Sequence, residues 1–542
     1  MRSALASLAL AALIAPDALS CTSLLVTKGA SADGSTFITY AADSHDLYGE
    51  LYFTPAAVHG FGAMREIVEW DTNKTLGRIP QPPATYQVVG NMNEHQVAIA
   101  ESTWGGRKEL KGPSGIVDYG SLIWIALERS RSAREAVETM TRLAEEFGYA
   151  STGESFSVAD PNEAWILEMI GKGEKQKGAV WVAVKVPDGT ISGHANQPRI
   201  RQFPQNDPKN VLFAKDVVAF AREKGWFTGK DEEFSFADAY SPLRGGTLRG
   251  CDSRVWSAFR RAAPSLNLSS DWVLAVPGAK PLPFAVKPDR KLSVKDVMEL
   301  MRDHFEGTEL DMTKDLGAGP FKLPYRWRPM GFKVEGVDYV NERAISTQQT
   351  GYSLVAQLRS FLPAPIGGVL WFGLDDTYST VYTPMYAGIR EVPRSYAVGT
   401  ADFSRFSWDS AFWVFNFVTN WAYSRYSDMI VDVRKAQGEI EGRFLAEQPE
   451  VEKAALKLHA DSPASARDYL TAYSVKAGDG TTERWRKLGE FLLWKYIDGN
   501  VRDSQANVTH PPYPADWYER VAKDGGDRLK ARKLPGEGGA ER

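Results

Sequence analysis

The chain opens on an apolar run, residues 4–15, which Pro16 and Asp17 break before Ala18-Leu19-Ser20 and Cys21. Small residues at the first and third positions before a junction are what signal peptidase accepts, and so short a run does not span a bilayer. Residues 1–20 are therefore expected to be a signal peptide, and the protein to be exported to the periplasm or beyond. After the junction, residues 22–27 are apolar and β-branched, Ala32-Asp33-Gly34 is a turn, and residues 35–40 alternate, which predicts a hairpin. A second strand pair is expected at residues 86–89 and 96–100 around Asn91-Met92-Asn93-Glu94. Residues 119–129 have helical spacing. Ser132 with Glu135 then opens a second helix that runs to about Phe147 and stops at Gly148. Strands return at residues 156–159, 164–170 and 180–186 and, past Pro187-Asp188-Gly189, at 191–194. Strands flank a block of helices instead of alternating with them singly. That excludes a doubly wound parallel sheet and suits two stacked sheets with helices outside.

Further on, residues 367–385 predict another strand pair. Residues 410–424 are apolar and uncharged but contain Asn416 and Asn420; they are too short to span a membrane and read as a buried or groove-lining element. Residues 429–500 are helical in pattern, with interruptions expected near Pro449 and at Ala477-Gly478-Asp479-Gly480. Residues 523–542 are rich in Lys, Arg and Gly. The division expected is a signal peptide (1–20), a catalytic domain (21–405), a mostly helical part packed on it (406–515) and a disordered tail (516–542).

Composition narrows the function. The 542 residues carry 64 Lys+Arg against 68 Asp+Glu, a net charge of −4, which leaves no basic excess for nucleic acid. An apolar share of 43% excludes a disordered chain. Sixteen Trp and 21 Tyr suggest aromatic-lined cavities or thick cores. HExxH, CxxC and GxSxG are absent, and seven histidines lie scattered without ligand spacing. Gly171-Lys172-Gly173 lies between two strand patterns, so it is a hairpin turn and not a dinucleotide fingerprint. Neither a metal nor any other cofactor is expected.

Only two cysteines exist, Cys21 and Cys251. Cleavage after Ser20 would put a free thiol and a free α-amine on Cys21. Their ordinary pKa values are about 8.5 and about 7.7–8.0, so the amine can take the thiol proton without a second residue. The same cysteine has a rival reading as a lipidated anchor. Lipoproteins place Leu three residues before the Cys and a small residue two before; here Ala18 and Leu19 reverse that order.

The segment from Cys21-Thr22-Ser23-Leu24-Leu25-Val26 through Ala30-Ser31-Ala32-Asp33-Gly34-Ser35-Thr36 to Ala42-Asp43-Ser44-His45 resembles the start of the C69 dipeptidases, N-terminal-nucleophile hydrolases. Gly90-Asn91-Met92-Asn93-Glu94-His95, Gly153-Glu154-Ser155-Phe156, Ala159-Asp160-Pro161-Asn162-Glu163, Ser192-Gly193-His194-Ala195-Asn196-Gln197 and Gly373-Leu374-Asp375-Asp376-Thr377-Tyr378 resemble the same family, in the same order. The resemblance implies an α+β fold, a four-layer αββα sandwich with a C-terminal helical extension. From the cysteine branch that includes penicillin V acylase and bile salt hydrolase, it implies Cys21 as nucleophile and Asp43 as the acid that holds the terminal amine. It further implies Asn196 as oxyanion donor and Arg254 as an arginine beside the thiol. Two positions depart from that branch: Tyr40 stands where it has Arg, and Thr103 where it has Asn. Thr103 could still supply a backbone or hydroxyl donor. The function implied is a cysteine dipeptidase acting on small peptides. An N-acyl amide hydrolase with the same machinery is the first alternative, and a lipid-anchored binding protein acylated at Cys21 the second.

Overall fold

The computed structural model describes residues 21–44, 47–112, 115–243, 245–328 and 330–532; the expected signal peptide and the end of the expected tail lie outside them. Strand β1 (Ser23–Val26) returns as β2 (Thr36–Asp43), with Leu25 opposite Ile38. The turn forms because Asp33 Oδ1 accepts from the Ser35 N–H at 3.0 Å while Gly34 takes φ 78°, which glycine adopts without a Cβ penalty. All residues of both strands are buried, so both of their faces are covered.

A second sheet begins with β3 (Phe53–Thr54), β4 (Val88–Val89), β5 (Met92–Asn93) and β6 (Ala98–Trp104). The expected pairing of 86–89 with 96–100 is not direct. β5 lies between them, with Val89 opposite Met92 and Met92 opposite Ala98. Asn93 makes so short a strand possible: its Oδ1 accepts from the His95 and Val97 N–H groups and its Nδ2 donates to the Leu127 and Ser130 carbonyls. Helices α1 (Tyr119–Arg129) and α2 (Ala133–Phe147) follow within the expected bounds. Ser132 Oγ accepts from the Glu135 N–H, and Gly148 at φ 80° ends α2.

Strands β7 (Gly153–Ala159), β8 (Ala164–Gly171) and β9 (Ala179–Lys185) extend the second sheet. Pro187-Asp188-Gly189 then sends the chain across to the first sheet, where β10 (Ile191–His194) pairs with β1, Ser23 opposite His194. Next come β11 (Val211–Phe213), α3 (Ser253–Ala262), β12 (Ala285–Val286) and α4 (Val294–Leu300). The last strands are β13 (Thr350–Leu358), β14 (Val369–Leu374) and β15 (Thr383–Tyr386). The later of the two strands expected within 367–385, read at Ser379-Thr380-Val381-Tyr382, instead starts at Thr383. The sheets run β12-β10-β1-β2-β13-β14-β15 and β11-β9-β8-β7-β6-β5-β4-β3. They stack face to face: Ser23 Oγ lies 2.7 Å from Ser157 Oγ across the interface. Helices α1 and α2 lie against the larger sheet, α3 and α4 against the smaller. The fold is α+β, in αββα layers.

The apolar stretch at 410–424 is a helix, α5 (Ala411–Tyr423), against β14. Two long helices follow, α6 (Tyr426–Asp461) and α7 (Pro463–Tyr496). The expected interruptions are absent. Pro449 lies inside α6, and α7 runs through Gly478 and Gly480. Gly478 serves packing instead of a turn: a Cβ there would sit 2.3 Å from Pro393 Cγ. The chain breaks at Ser462-Pro463, where Ser462 accepts from the Ser465 N–H and proline fits the first turn of α7. The expected tail begins with a helix, α8 (Ala515–Gly525), none of whose residues is buried. Among the described residues no helix is long and apolar enough to cross a membrane.

Candidate active site

Cys21 lies just before β1 and is 3% exposed. Thr22 holds the end of the strand in the sheet by a reciprocal pair of backbone hydrogen bonds with Ala41, at 3.2 and 2.9 Å. Arg254, on the first turn of α3, is fully buried beside it. Its Nη1 donates to the Cys21 carbonyl and to Thr22 Oγ1, both at 2.7 Å. Its Nη2 donates to Asn196 Oδ1 at 2.8 Å and to the Ala195 carbonyl at 3.3 Å. The family resemblance implies this arginine near the thiol, where it would favour the thiolate. The guanidinium instead grips the main chain of Cys21 and the amide of Asn196. A π-helical turn, Leu248–Asp252, leads into α3. Arg249 on that turn forms a two-pronged ion pair with Glu342, which ties the base of α3 to the segment carrying Arg343.

Asp43 ends β2 opposite Thr350 of β13. Its Oδ2 accepts from Arg343 Nη2 at 2.8 Å and its Oδ1 from Thr350 Oγ1 at 2.7 Å. Burial lifts its pKa to about 6, against the pull of Arg343, Thr350 and Arg254. The Cys21 thiol is pushed well above its ordinary value, first by burial and then by negative charge on Glu101 and Asp43; the Asp43 backbone and Tyr40 oppose this.

Asn196 follows β10 with φ 56°, a left-handed conformation that asparagine tolerates. Its N–H donates to Ser102 Oγ at 3.1 Å and its Nδ2 to the Thr103 carbonyl at 2.6 Å. Thr103 thus takes part through its main-chain oxygen, while its hydroxyl is buried beside Glu154. Beneath these residues His194 sits between Ser102 Oγ at 2.6 Å and Ser157 Oγ at 2.8 Å. Burial, then Arg199 and Arg254, lower its pKa to about 3, so the ring is neutral: it donates its one N–H to one serine and accepts from the hydroxyl of the other. Arg254 therefore joins Cys21 to Asn196, and Asn196 joins Thr103, while Asp43 reaches the thiol through its charge and its backbone.

Sequence reasoning missed four members. Arg343 and Thr350 hold Asp43. Glu101 accepts from the Cys21 thiol at 3.3 Å and from the Tyr40 hydroxyl. Glu154, fully buried on β7, interacts with Glu101, and burial followed by that neighbour pushes its pKa well up. The available signal was a carboxylate inside each of two apolar strand runs, β6 and β7. Arg343 carried none, because residues 341–349 have no periodicity. An open cleft of about 510 Å³ is lined by Tyr52, Phe53, Trp70 and Trp124 together with Arg65 and Glu66. Among the described residues no three His, Cys, Asp or Glu side chains gather to hold a metal ion.

The model of peptidase family C69 matches residues 49–439. The chain is 26% identical over 395 residues to a "Probable dipeptidase" of Latilactobacillus sakei, spanning 69% of this chain and 76% of that protein. It is 28% identical over 396 residues to a "Probable dipeptidase" of Salmonella dublin, spanning 69% and 82%. To a "Probable dipeptidase A" of Streptococcus pyogenes serotype M3 (strain SSI-1) it is 24% identical over 443 residues, spanning 77% and 85%. The matched residues include Thr103, Asn196 and Arg254, whereas Cys21 and Asp43 precede them. With the match covering most of its length, the chain belongs to peptidase family C69.

Proposed function

We propose that the chain is an exported cysteine dipeptidase whose nucleophile, Cys21, becomes the first residue when residues 1–20 are cut away. The observation that carries this is the hold on Cys21: one buried guanidinium binds its carbonyl and the Asn196 amide together. The names of the relatives add the substrate class. In the proposed reaction the α-amine of Cys21 takes the thiol proton, and Sγ bonds to the carbonyl carbon of a dipeptide. Asn196, oriented through its Oδ1, turns its amide N–H to the oxyanion, a contact that stabilises such an intermediate by about 3–4 kcal/mol. The C–N bond breaks as the amine returns its proton to the leaving amino acid. Water then cleaves the thioester, which releases the second amino acid and restores the thiol. Asp43, neutralised in part by Arg343, keeps the amine in place. No cofactor enters any step.

The test is the chain starting at Cys21 assayed on a dipeptide panel beside N-acyl amides, with a chain that keeps residues 1–20 as control. Hydrolysis of dipeptides by the shortened chain alone is expected, and exported material should begin at Cys21 on N-terminal sequencing. Equal activity with the extension intact, or hydrolysis confined to N-acyl amides, would overturn the proposal.

A further inference from the structure

Beside the thiol the protein buries the carboxyl group of Glu101, with that of Glu154 next to it, and no cation among the described residues pairs with either. Glu101 is 2% exposed and Glu154 is fully buried. Glu154 lies against the Glu101 carboxyl and the Thr103 hydroxyl, and no other group satisfies its buried oxygens among the described residues. Among the described residues neither carboxylate has a Lys, Arg or His partner. Burial and the neighbouring Glu101 favour the neutral form of Glu154, and a cation arriving beside the pair favours its charged form. Glu101 does have Tyr40, whose hydroxyl fixes its Oε1, and that oxygen lies 3.3 Å from Cys21 Sγ. Nearby, Asp71 accepts from the Tyr119 hydroxyl at 2.7 Å and adds negative charge to the same region.

Resting on the dipeptidase reading above, we infer that Glu101 and Glu154 seat the free α-ammonium group of the peptide substrate. The distance argument is specific to dipeptides. Their amino nitrogen is two bonds, about 2.5 Å, from the carbon the thiol attacks. A reacting carbon lies about 3–3.5 Å from its nucleophile. The ammonium must therefore lie within about 6 Å of Sγ, and Glu101 is inside that reach. In an N-acyl amide the same position is a hydrocarbon, and two buried carboxyl groups would repel it by leaving their own solvation unmade. The pair thus accounts for acceptance of an unblocked amine at the residue whose carbonyl is attacked. Tyr40 orients Glu101 and is a positioning residue.

The experiment compares Ala-Ala with propionyl-Ala, its copy lacking only the amine, in wild type, Glu101→Gln and Glu154→Gln. Wild type should prefer Ala-Ala in kcat/KM by a factor on the order of 10² or more, since a site built for a polar group rejects the analogue that lacks it. In each variant the preference should fall below about 10-fold, through a larger loss on Ala-Ala than on propionyl-Ala. An unchanged preference, or equal losses on both substrates, would overturn the inference while leaving the dipeptidase reading intact. Wild type that favours propionyl-Ala would overturn the reading, and the inference with it. If neither variant folds, inhibition of wild type by alaninamide and propionamide decides: competitive inhibition by the cation alone supports the seat, and equal inhibition overturns it.

Discussion

Asp43 is buried at a strand end with a pKa of about 6, so it is mostly neutral below that pH and mostly ionised above it. Only the ionised form holds an ammonium in place. The kcat/KM on a dipeptide should therefore fall as pH drops through about 6. Asp43→Asn should remove that limb and cost on the order of 10-fold at pH 7.5; a pH–rate profile that keeps the limb unchanged would assign it to another group. Cys21→Ser should lose on the order of 10²-fold or more, because a hydroxyl yields far less nucleophile to an amine base. Cys251→Ser should leave both rate and melting temperature nearly unchanged: this thiol is a half-buried residue on the π-helical turn, and burial pushes its pKa up. At this scale the legible residues were those with a chemical oddity in the sequence. Cys21 stood behind a leader-like run, and Asp43 closed a hydrophobic strand. Arg343 was illegible, because its role exists only once β13 has been laid beside β2.

Elements were legible where the chain punctuates them. The bounds of α2 follow from Ser132 and Gly148, each with a specific backbone partner. β13 left no mark, since all nine residues are buried and a strand covered on both faces loses its alternation. Punctuation misled in the C-terminal helices, where a glycine served contact and not a turn. Gly478 and Gly480, on one turn of α7, separate the two roles. Gly478→Ala drives a methyl against Pro393 and should destabilise by about 1–3 kcal/mol. Gly480→Ala meets open space and should stabilise by about 0.5–1 kcal/mol. Urea denaturation of the two variants checks this; the same sign for both would mean that the helix is not pressed on Pro393.

Across the whole molecule polar side chains meet at the buried interface of the two sheets, and His194 is one of them. Its folded pKa, about 3, lies below the ordinary histidine value. A base lowered in this way contributes stability above about pH 6.5 that is lost as pH falls, because the unfolded chain takes up the proton first. Asp43, Glu168 and Asp375 are raised, and their contributions run the other way. The wild-type advantage over His194→Gln should therefore shrink by about 1.4 kcal/mol per pH unit between about pH 6 and 4. Denaturation curves at three pH values measure it, and a flat difference would mean that the ring is charged in the fold. Contact across the sandwich also has a clock. Asp43 and its partner Thr350 are 307 residues apart, which at about 5–20 residues per second is roughly 15–60 s of synthesis. For that whole interval β2 has an unclaimed edge, and the carboxylate at its end has neither of its partners. The front of the chain is made first and finished late: the ribosome must pass β13 before the oldest part of the protein can close.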